Sequence, residues 1–321
     1  MTLNALKPLG AALALFVGLS SAWAQGYPNK PVRVVVTTVP GPLDAFARSV
    51  LEQMQRRLKQ TFFVDNKAGA GGNLGADAVA KAQPDGYTLL FALDTTFTVN
   101  PSLYAKMPFD PAKDFVTIAV PVTYSQALVV NSNVKANTLA EFVKLAKETK
   151  MTYASGGNGS PSHLTMASFL VTAGIDMTHI PYKGTGASVL DVVAGQVDSL
   201  FAVGSGVFPH VKSGKLRALA VSGQHRSSAA PDVPTVVEAG YPTFNANFAY
   251  ALLAPAGTPD AIVQLLAKEV EEAMNSPEVK ALNRTADYSP TNFTQPQAAA
   301  WMADTRKHWN EVITKAKISL D

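Results

Sequence analysis

Apolar residues along this chain switch repeatedly between two periods. "VRVVVTT" (32–38) is a continuous β-branched run that reads as a buried strand. It is followed by "LDAFARSVLEQMQRRLKQ", with apolar residues at 43, 46, 47, 50, 51, 54 and 58, the spacing of one helix face. "FFVDN" predicts a second strand, "AGAGGNLGADAVAKAQ" a glycine turn running into a helix, and "TLLFALD" (88–94) a third strand. Strand–helix–strand alternation implies a parallel sheet with right-handed crossovers.

The pattern then changes. "VTIAVPVTYSQALVVN" (116–131) reads as two strands broken at Pro121, the kind of segment that passes between lobes. A new cycle follows, opened by the helix "TLAEFVKLAKET", where Thr138 and Glu141 form a capping box. Then come strand "MTYAS", helix "SHLTMASFLVTAG", strand "MTHIPY", helix "ASVLDVVAGQ" and strand "VDSLFAV". "LRALAVSG" and "FAYALLAP" look like the return leg, and the remainder is helical and expected to pack back on the first lobe. The predicted fold is therefore α/β, two doubly wound lobes with a central ligand cleft at the carboxyl ends of the strands. The boundaries expected are 1–24 for a leader, 25–124 plus 249–321 for the first lobe, and 125–248 for the second.

The leader is read from Lys7, an apolar run from Leu9 to Leu19, and Ala22-Trp23-Ala24, which places cleavage after Ala24. That run is too short to span a bilayer, so an exported, periplasmic protein is expected. The chain has no cysteine, so about 300 residues must be held by their core alone. Net charge is +3, with basic residues dispersed and no run longer than Arg56-Arg57, which argues against nucleic acid as a partner. The five histidines, at 163, 179, 210, 225 and 308, never fall in a metal-ligand spacing, so neither a metal nor a cofactor is expected.

Four loops sit where a strand ends and a helix begins: "TTVPGPLD" (37–44), "ALDTTF" (92–97), "ASGGNGSPSH" (154–163) and "YKGTGAS" (182–188). Free backbone N–H groups and the positive dipole at helix N-termini favour an anion, and glycines and hydroxyls let the chain approach and donate to it. Ser162 reads first as an N-cap, with a ligand role layered on that cap. His163 can be a structural hydrogen-bonder or a contact. Asp44 can cap its helix or touch a ligand, and Asp94 can bind backbone amides at the strand end. "AGAGGNLG" (68–75) is not a dinucleotide loop, because Leu74 stands where the third glycine would be. It reads as a turn that closes one rim of the cleft. No G-x-S-x-G is present, and the adjacent Ser162 and His163 point apart on a helix, so no catalytic residue is assigned.

These pieces together resemble the Bug/TctC family, the extracytoplasmic solute-binding receptors of tripartite tricarboxylate transporters. The resemblance runs from about Tyr27 to the C-terminus. It rests on "YPNKPVRVVV", "VDNKAGAGGNLGADAVAKAQPDGYTLL", "NPSLYAKMPFDPAKDF", "YASGGNGSPSHL", "HIPYKGTGASVLDVVAGQVD" and "SGKLRALAVSG" with "PDVPTVVEAGYP". It implies a Venus-flytrap receptor that closes over a small organic carboxylate, aromatic or dicarboxylate, and hands it to a membrane permease, with a monomer as the default state. Carried onto this chain, the ligand-binding positions it implies are Gly41 and Asp44, Thr95 and Thr96, then Ser155, Asn158, Ser160 and His163, and finally Lys183, Gly184 and Thr185. Asp198 matches a position expected to fix the second-lobe loops.

One departure bears on the ligand. The family's first loop usually reads proline-glycine-glycine-x-x-aspartate, whereas here it reads Pro40-Gly41-Pro42-Leu43-Asp44. Pro42 removes a backbone N–H, and Leu43 and Phe97 are expected to bring apolar surface to the distal end of the ligand. Rival readings are an amino-acid receptor, a receptor signalling to a two-component sensor, and a secreted hydrolase. The first is disfavoured because no arginine lies in the four loops.

Overall fold

The computed structural model describes residues 26–320, so the leader and its cleavage site lie outside the described residues. Two sheets form. The first holds β1 (Val32–Val36), β2 (Phe62–Asn66), β3 (Thr88–Leu93), β4 (Phe115–Tyr124), β10 (Phe248–Pro255) and β11 (Tyr288–Pro290), in the order β11-β4-β10-β3-β1-β2. The second holds β5 (Ala127–Asn131), β6 (Thr152–Ser155), β7 (Thr178–Pro181), β8 (Ser199–Ala202) and β9 (Leu216–Val221), in the order β7-β6-β8-β5-β9. Helices cover the sheets, which gives the two-lobed α/β architecture read from the alternation.

The strands are not all parallel. β1, β2 and β3 are, as are β6, β7 and β8, but β10 runs antiparallel to β3 and β4, and β5 runs antiparallel to β8 and β9. The strands carrying the chain between lobes enter each sheet from the opposite end, so the pure parallel expectation is corrected to a mixed sheet.

Pro121 does not break a strand either. β4 continues through it, and the ladder from β10 passes from Val122 to Ala119 across a register shift, so the missing N–H falls in an irregularity. The Pro121 carbonyl accepts from Thr291 N at 3.0 Å on the other edge. The break comes four residues later, at Ser125-Gln126.

In the parallel set the carboxyl ends of β1, β2 and β3 share one edge, and those of β6, β7 and β8 share another. The helix Pro42–Leu58 follows β1, with Pro42 at its first position, where a missing N–H costs nothing. Its apolar side, including Phe46, Val50 and Met54, is buried. The helix Pro161–Ala173 follows β6 and ends at Gly174, in the left-handed region at φ 61°. The C-terminal helix Gln295–Ala316 packs against the short helices Thr95–Thr98 and Asn100–Leu103 of the first lobe and against Pro161–Ala173 of the second. Trp309 on this helix stacks on Phe248 at 5.0 Å, and Arg306 Nε donates to the Phe97 carbonyl at 2.9 Å.

The chain crosses between sheets at Ser125-Gln126 and again over 222–247. Ser222, fully buried, ties the two crossings together. Its N–H donates to the Gln126 carbonyl at 2.7 Å, its Oγ accepts from Gln126 N at 2.9 Å, and the hydroxyl donates to the Ala246 carbonyl at 2.7 Å. Ser222→Ala leaves a buried N–H and a buried carbonyl unpaired, and should destabilise the protein by about 1–3 kcal/mol in chemical denaturation. A loss well below that would mean the crossings do not depend on this hydroxyl.

Candidate functional site

A cavity of about 890 Å³ lies between the sheets, at the carboxyl ends of the parallel strands. It is walled by the loops after β1, β2 and β3 on one side and after β6 and β7 on the other. All four loops singled out in the sequence contribute to it. The glycine run forms a fifth wall, as the rim reading expected.

The loop after β1 supplies Thr37, Thr38 and Val39. Asn66 Nδ2 holds the Thr38 carbonyl at 2.9 Å, which fixes the loop. The hydroxyl oxygens of Thr37 and Thr38 are buried and have no hydrogen-bond partner among the described residues. Buried orphan hydroxyls are uncommon in folded proteins and call for an explanation.

Gly41 and Asp44 lie behind this wall and are not among its lining residues. Gly41 is extended, at φ 173°. Asp44 is buried; its carboxylate accepts from Arg48 Nε at 2.9 Å and from Asn66 Nδ2 at 2.9 Å, and caps nothing. The Arg48 guanidinium keeps this carboxyl below its ordinary range. Leu43 and Phe97, expected at the distal end of a ligand, are both in the core.

Four successive residues of the glycine wall have positive φ: Gly69 at 129°, Ala70 at 49°, Gly71 at 63° and Gly72 at 93°. Ala70 occupies the left-handed region at a cost that the surroundings must offset. The Gly71 carbonyl accepts from Thr96 Oγ1 at 3.1 Å and from Asn100 Nδ2 at 2.9 Å. A Cβ on Gly72 would stand 2.4 Å from Thr96 Oγ1, so only glycine fits there. Thr96 is thus a support beneath the wall, while its neighbour Thr95 lines the cavity.

Asp94 is fully buried and binds backbone, as one sequence reading had it. Its Oδ1 accepts from Ala249 N at 3.1 Å, and desolvation pushes its carboxyl up to about 7.

On the second lobe, Asn158, Ser160, Lys183 and Gly184 line the cavity, and Ser155, His163, Thr185 and Asp198 do not. Ser160, not Ser162, is the N-cap, accepting from His163 N at 3.4 Å. Ser162 Oγ instead accepts from Gly156 N at 2.9 Å. Ser155 is buried, its hydroxyl 2.6 Å from His179 Nε2 and accepting from Gly157 N at 3.1 Å. A Cβ on Gly156 would lie 3.0 Å from Thr185 Oγ1, which places Thr185 behind the loop. Asp198 accepts from Thr152 N at 2.7 Å and Thr152 Oγ1 at 2.8 Å. That is the amino end of β6, the end away from the cavity, so Asp198 positions a strand.

His163 Nδ1 accepts from Gly159 N at 3.1 Å, and its ring stacks on His179 at 4.1 Å and 7°. His179 in turn stacks on Tyr153, its partner across β6 and β7, at 4.8 Å. Burial, with His179 alongside, lowers the His163 imidazole to about 4, and burial lowers His179 as well. Two neutral rings therefore prop the 156–160 loop from below. His179 had no local signal, because its pairing with Tyr153 is set by strand register. Asn100, Leu103 and Tyr104 lay inside the quoted block "NPSLYAKMPFDPAKDF", but nothing in their spacing turned them toward the cleft.

Residues 46–318 match the Tripartite tricarboxylate transporter family receptor. The chain belongs to that family. Protein BugT of Bordetella pertussis is 34% identical over 301 residues, covering 92% of each chain. A structure of an R. palustris protein with adipate superposes with a TM-score of 0.83 at 27% identity, covering 91% of this chain and 99% of that one. MatC from Rhodopseudomonas palustris with bound malate gives 0.78 at 29% identity, covering 89% and 100%. The family's members are periplasmic solute-binding receptors, and two of these relatives hold carboxylates.

The depressed His163 value sets a pH dependence. Below about 6.5 the unfolded chain takes up a proton that the folded ring refuses until about 4, so this residue's contribution to stability is lost as pH falls through that window. The melting-temperature difference between the protein and His163→Asn should therefore narrow from pH 7.5 to pH 4. Asp94 is common to both and cancels. A constant difference would contradict the assignment.

Proposed function

We propose that this receptor captures a small organic carboxylate between its lobes in the periplasm and delivers it to the membrane permease of a tripartite tricarboxylate transporter. The lobes are assigned to 25–124 plus 249–321 and to 125–248, turning about the crossings at 125–126 and 222–247. A ligand touching both lobes binds the closed form better than the open one, and that difference drives closure.

The observation that carries this reading is the pair of orphan hydroxyls, Thr37 and Thr38, in the wall of a cleft lined by two lobes. Both residues line the cavity, and no protein group among the described residues takes up the hydrogen bonds of their buried hydroxyls. Asn158, Ser160 and Pro161, at a helix N-terminus, line the cavity from the second lobe, and Lys183 is the charged residue of the lining among the described residues. Each neutral donor contributes about 0.5–1.5 kcal/mol net and more toward a carboxylate, so several together reach micromolar affinity or better.

A receptor rather than an enzyme is favoured by the burial of the serine–histidine pair beside the cavity. Ser155 Oγ stands 2.6 Å from His179 Nε2, but Ser155 has no exposed surface from which to reach a substrate. No group of three or more histidine, cysteine, aspartate or glutamate side chains among the described residues could hold a metal ion.

A thermal-shift screen should show stabilisation that grows with the concentration of small carboxylates and none with neutral sugars. Stabilisation by sugars alone would overturn the reading. Thr38→Val should leave the free protein about as stable as before, since the hydroxyl has no partner to lose, yet weaken carboxylate binding about fivefold to tenfold in titration calorimetry. Unchanged affinity would remove this hydroxyl from the site.

A further inference from the structure

The C-terminal helix Gln295–Ala316 closes with a reversal of the chain. Lys317 takes the left-handed conformation, at φ 52° and ψ 41°, and Ile318 N donates back to the Ile313 carbonyl at 3.1 Å. Glycine is the usual residue for that turn, and a lysine is strained in it. Ile318 packs against the main core, which offsets the strain and fixes the direction of the reversal. The chain after it carries Leu320, half-buried, into the lining of the cavity.

Two walls of the cavity come together beside this side chain. Leu103 belongs to the short helix Asn100–Leu103 that follows β3, and Gly159 to the loop after β6. A Cβ added to Gly159, at φ 71°, would lie 2.7 Å from Leu103 Cδ1 and 3.4 Å from Leu320 Cδ2. The bare backbone at Gly159 is what lets both leucines sit so near. The tail is tied to the Leu103 wall, since Ser102 Oγ donates to Asn310 Oδ1 at 3.0 Å on the helix it extends. The facing loop keeps its own shape, with Gly159 N donating to His163 Nδ1 at 3.1 Å and Ser160 N to the Gly157 carbonyl at 3.1 Å. The contact therefore joins two braced bodies, and it breaks when the walls part.

We propose that residues 318–320 form a strap across the cavity, with Leu320 a positioning residue that holds the two walls together and slows ligand release. Parting the walls exposes Leu320 and Leu103 to water, which opposes opening. This contribution is the same whatever acid is held, so the strap acts on the rate of release and not on the choice of ligand. The release half of the proposal rests on the carboxylate-receptor reading, whereas the contact does not.

Hydrogen exchange in the ligand-free protein tests the contact, read by mass spectrometry on peptides spanning 156–160. Leu320→Ala should speed exchange there several-fold, and Leu320→Met, which keeps an apolar side chain of similar size, should leave it as in the unaltered protein. Exchange unchanged in Leu320→Ala overturns the strap, with no ligand involved.

Surface plasmon resonance with adipate and with malate tests its effect on release. Leu320→Ala should release each acid about threefold to tenfold faster, by the same factor for both, while association changes by less than about twofold. Leu320→Met should restore slow release. Release that is unchanged, or faster for one acid alone, overturns the strap; the second result would make Leu320 a ligand contact. Binding of neither acid to the unaltered protein counts against the carboxylate reading and leaves the exchange result to decide the strap.

Discussion

The two lobes depend on one serine hydroxyl more than on any side chain in the cavity. Ser222 joins the outgoing crossing at Gln126 to the returning one at Ala246, and so ties the two connections between the sheets together. Gln126 extends the knot, its Oε1 accepting from Thr165 Oγ1 at 2.7 Å on the helix that begins at the cleft wall. The C-terminal helix adds a second tie, with His308 Nε2 donating to the Asn245 carbonyl at 2.9 Å. In the proposed closure, a hinge built from buried hydrogen bonds would hold its axis while changing its angle. That constraint would bring the same loops opposite each other on closure.

Those loops are braced by hydrogen bonds too. The glycine wall is held open by Thr96 and Asn100 beneath it, and the 156–160 loop by His163 and the Ser155–His179 contact. Polar side chains next to the cavity are thus largely spent on supporting backbone. Thr37 and Thr38 are exceptions, their hydroxyls buried and unpaired in the wall. A site whose donors are pre-positioned gives up little conformational entropy on binding.

The alternation of periods made the lobes legible, and helix N-termini after strands marked the cavity loops, because glycine and hydroxyl residues are what such a terminus needs. Individual contacts were less legible. Thr95 and Thr96 are adjacent and alike, yet one lines the cavity and the other holds Gly71; helix phase decides that. Pro121 reads as a strand break unless the irregular ladder opposite it is known. Apolar surface in the cleft was expected from Leu43 and Phe97, whereas the fold buries both and presents Leu103, Tyr104 and Leu320. His179 acts through a partner 26 residues away, visible once the register of β6 and β7 is known.

Closure of the lobes over a carboxylate is the central claim, and the absence of cysteine makes it directly measurable. Spin labels on cysteines introduced at Gln264, exposed on a helix of the first lobe, and Lys144, exposed on a helix of the second, report the distance between lobes. The account predicts a broad distance distribution in the free protein. Saturation with whichever carboxylate stabilises the protein most should narrow and displace it. A distribution that saturation leaves unchanged would contradict closure.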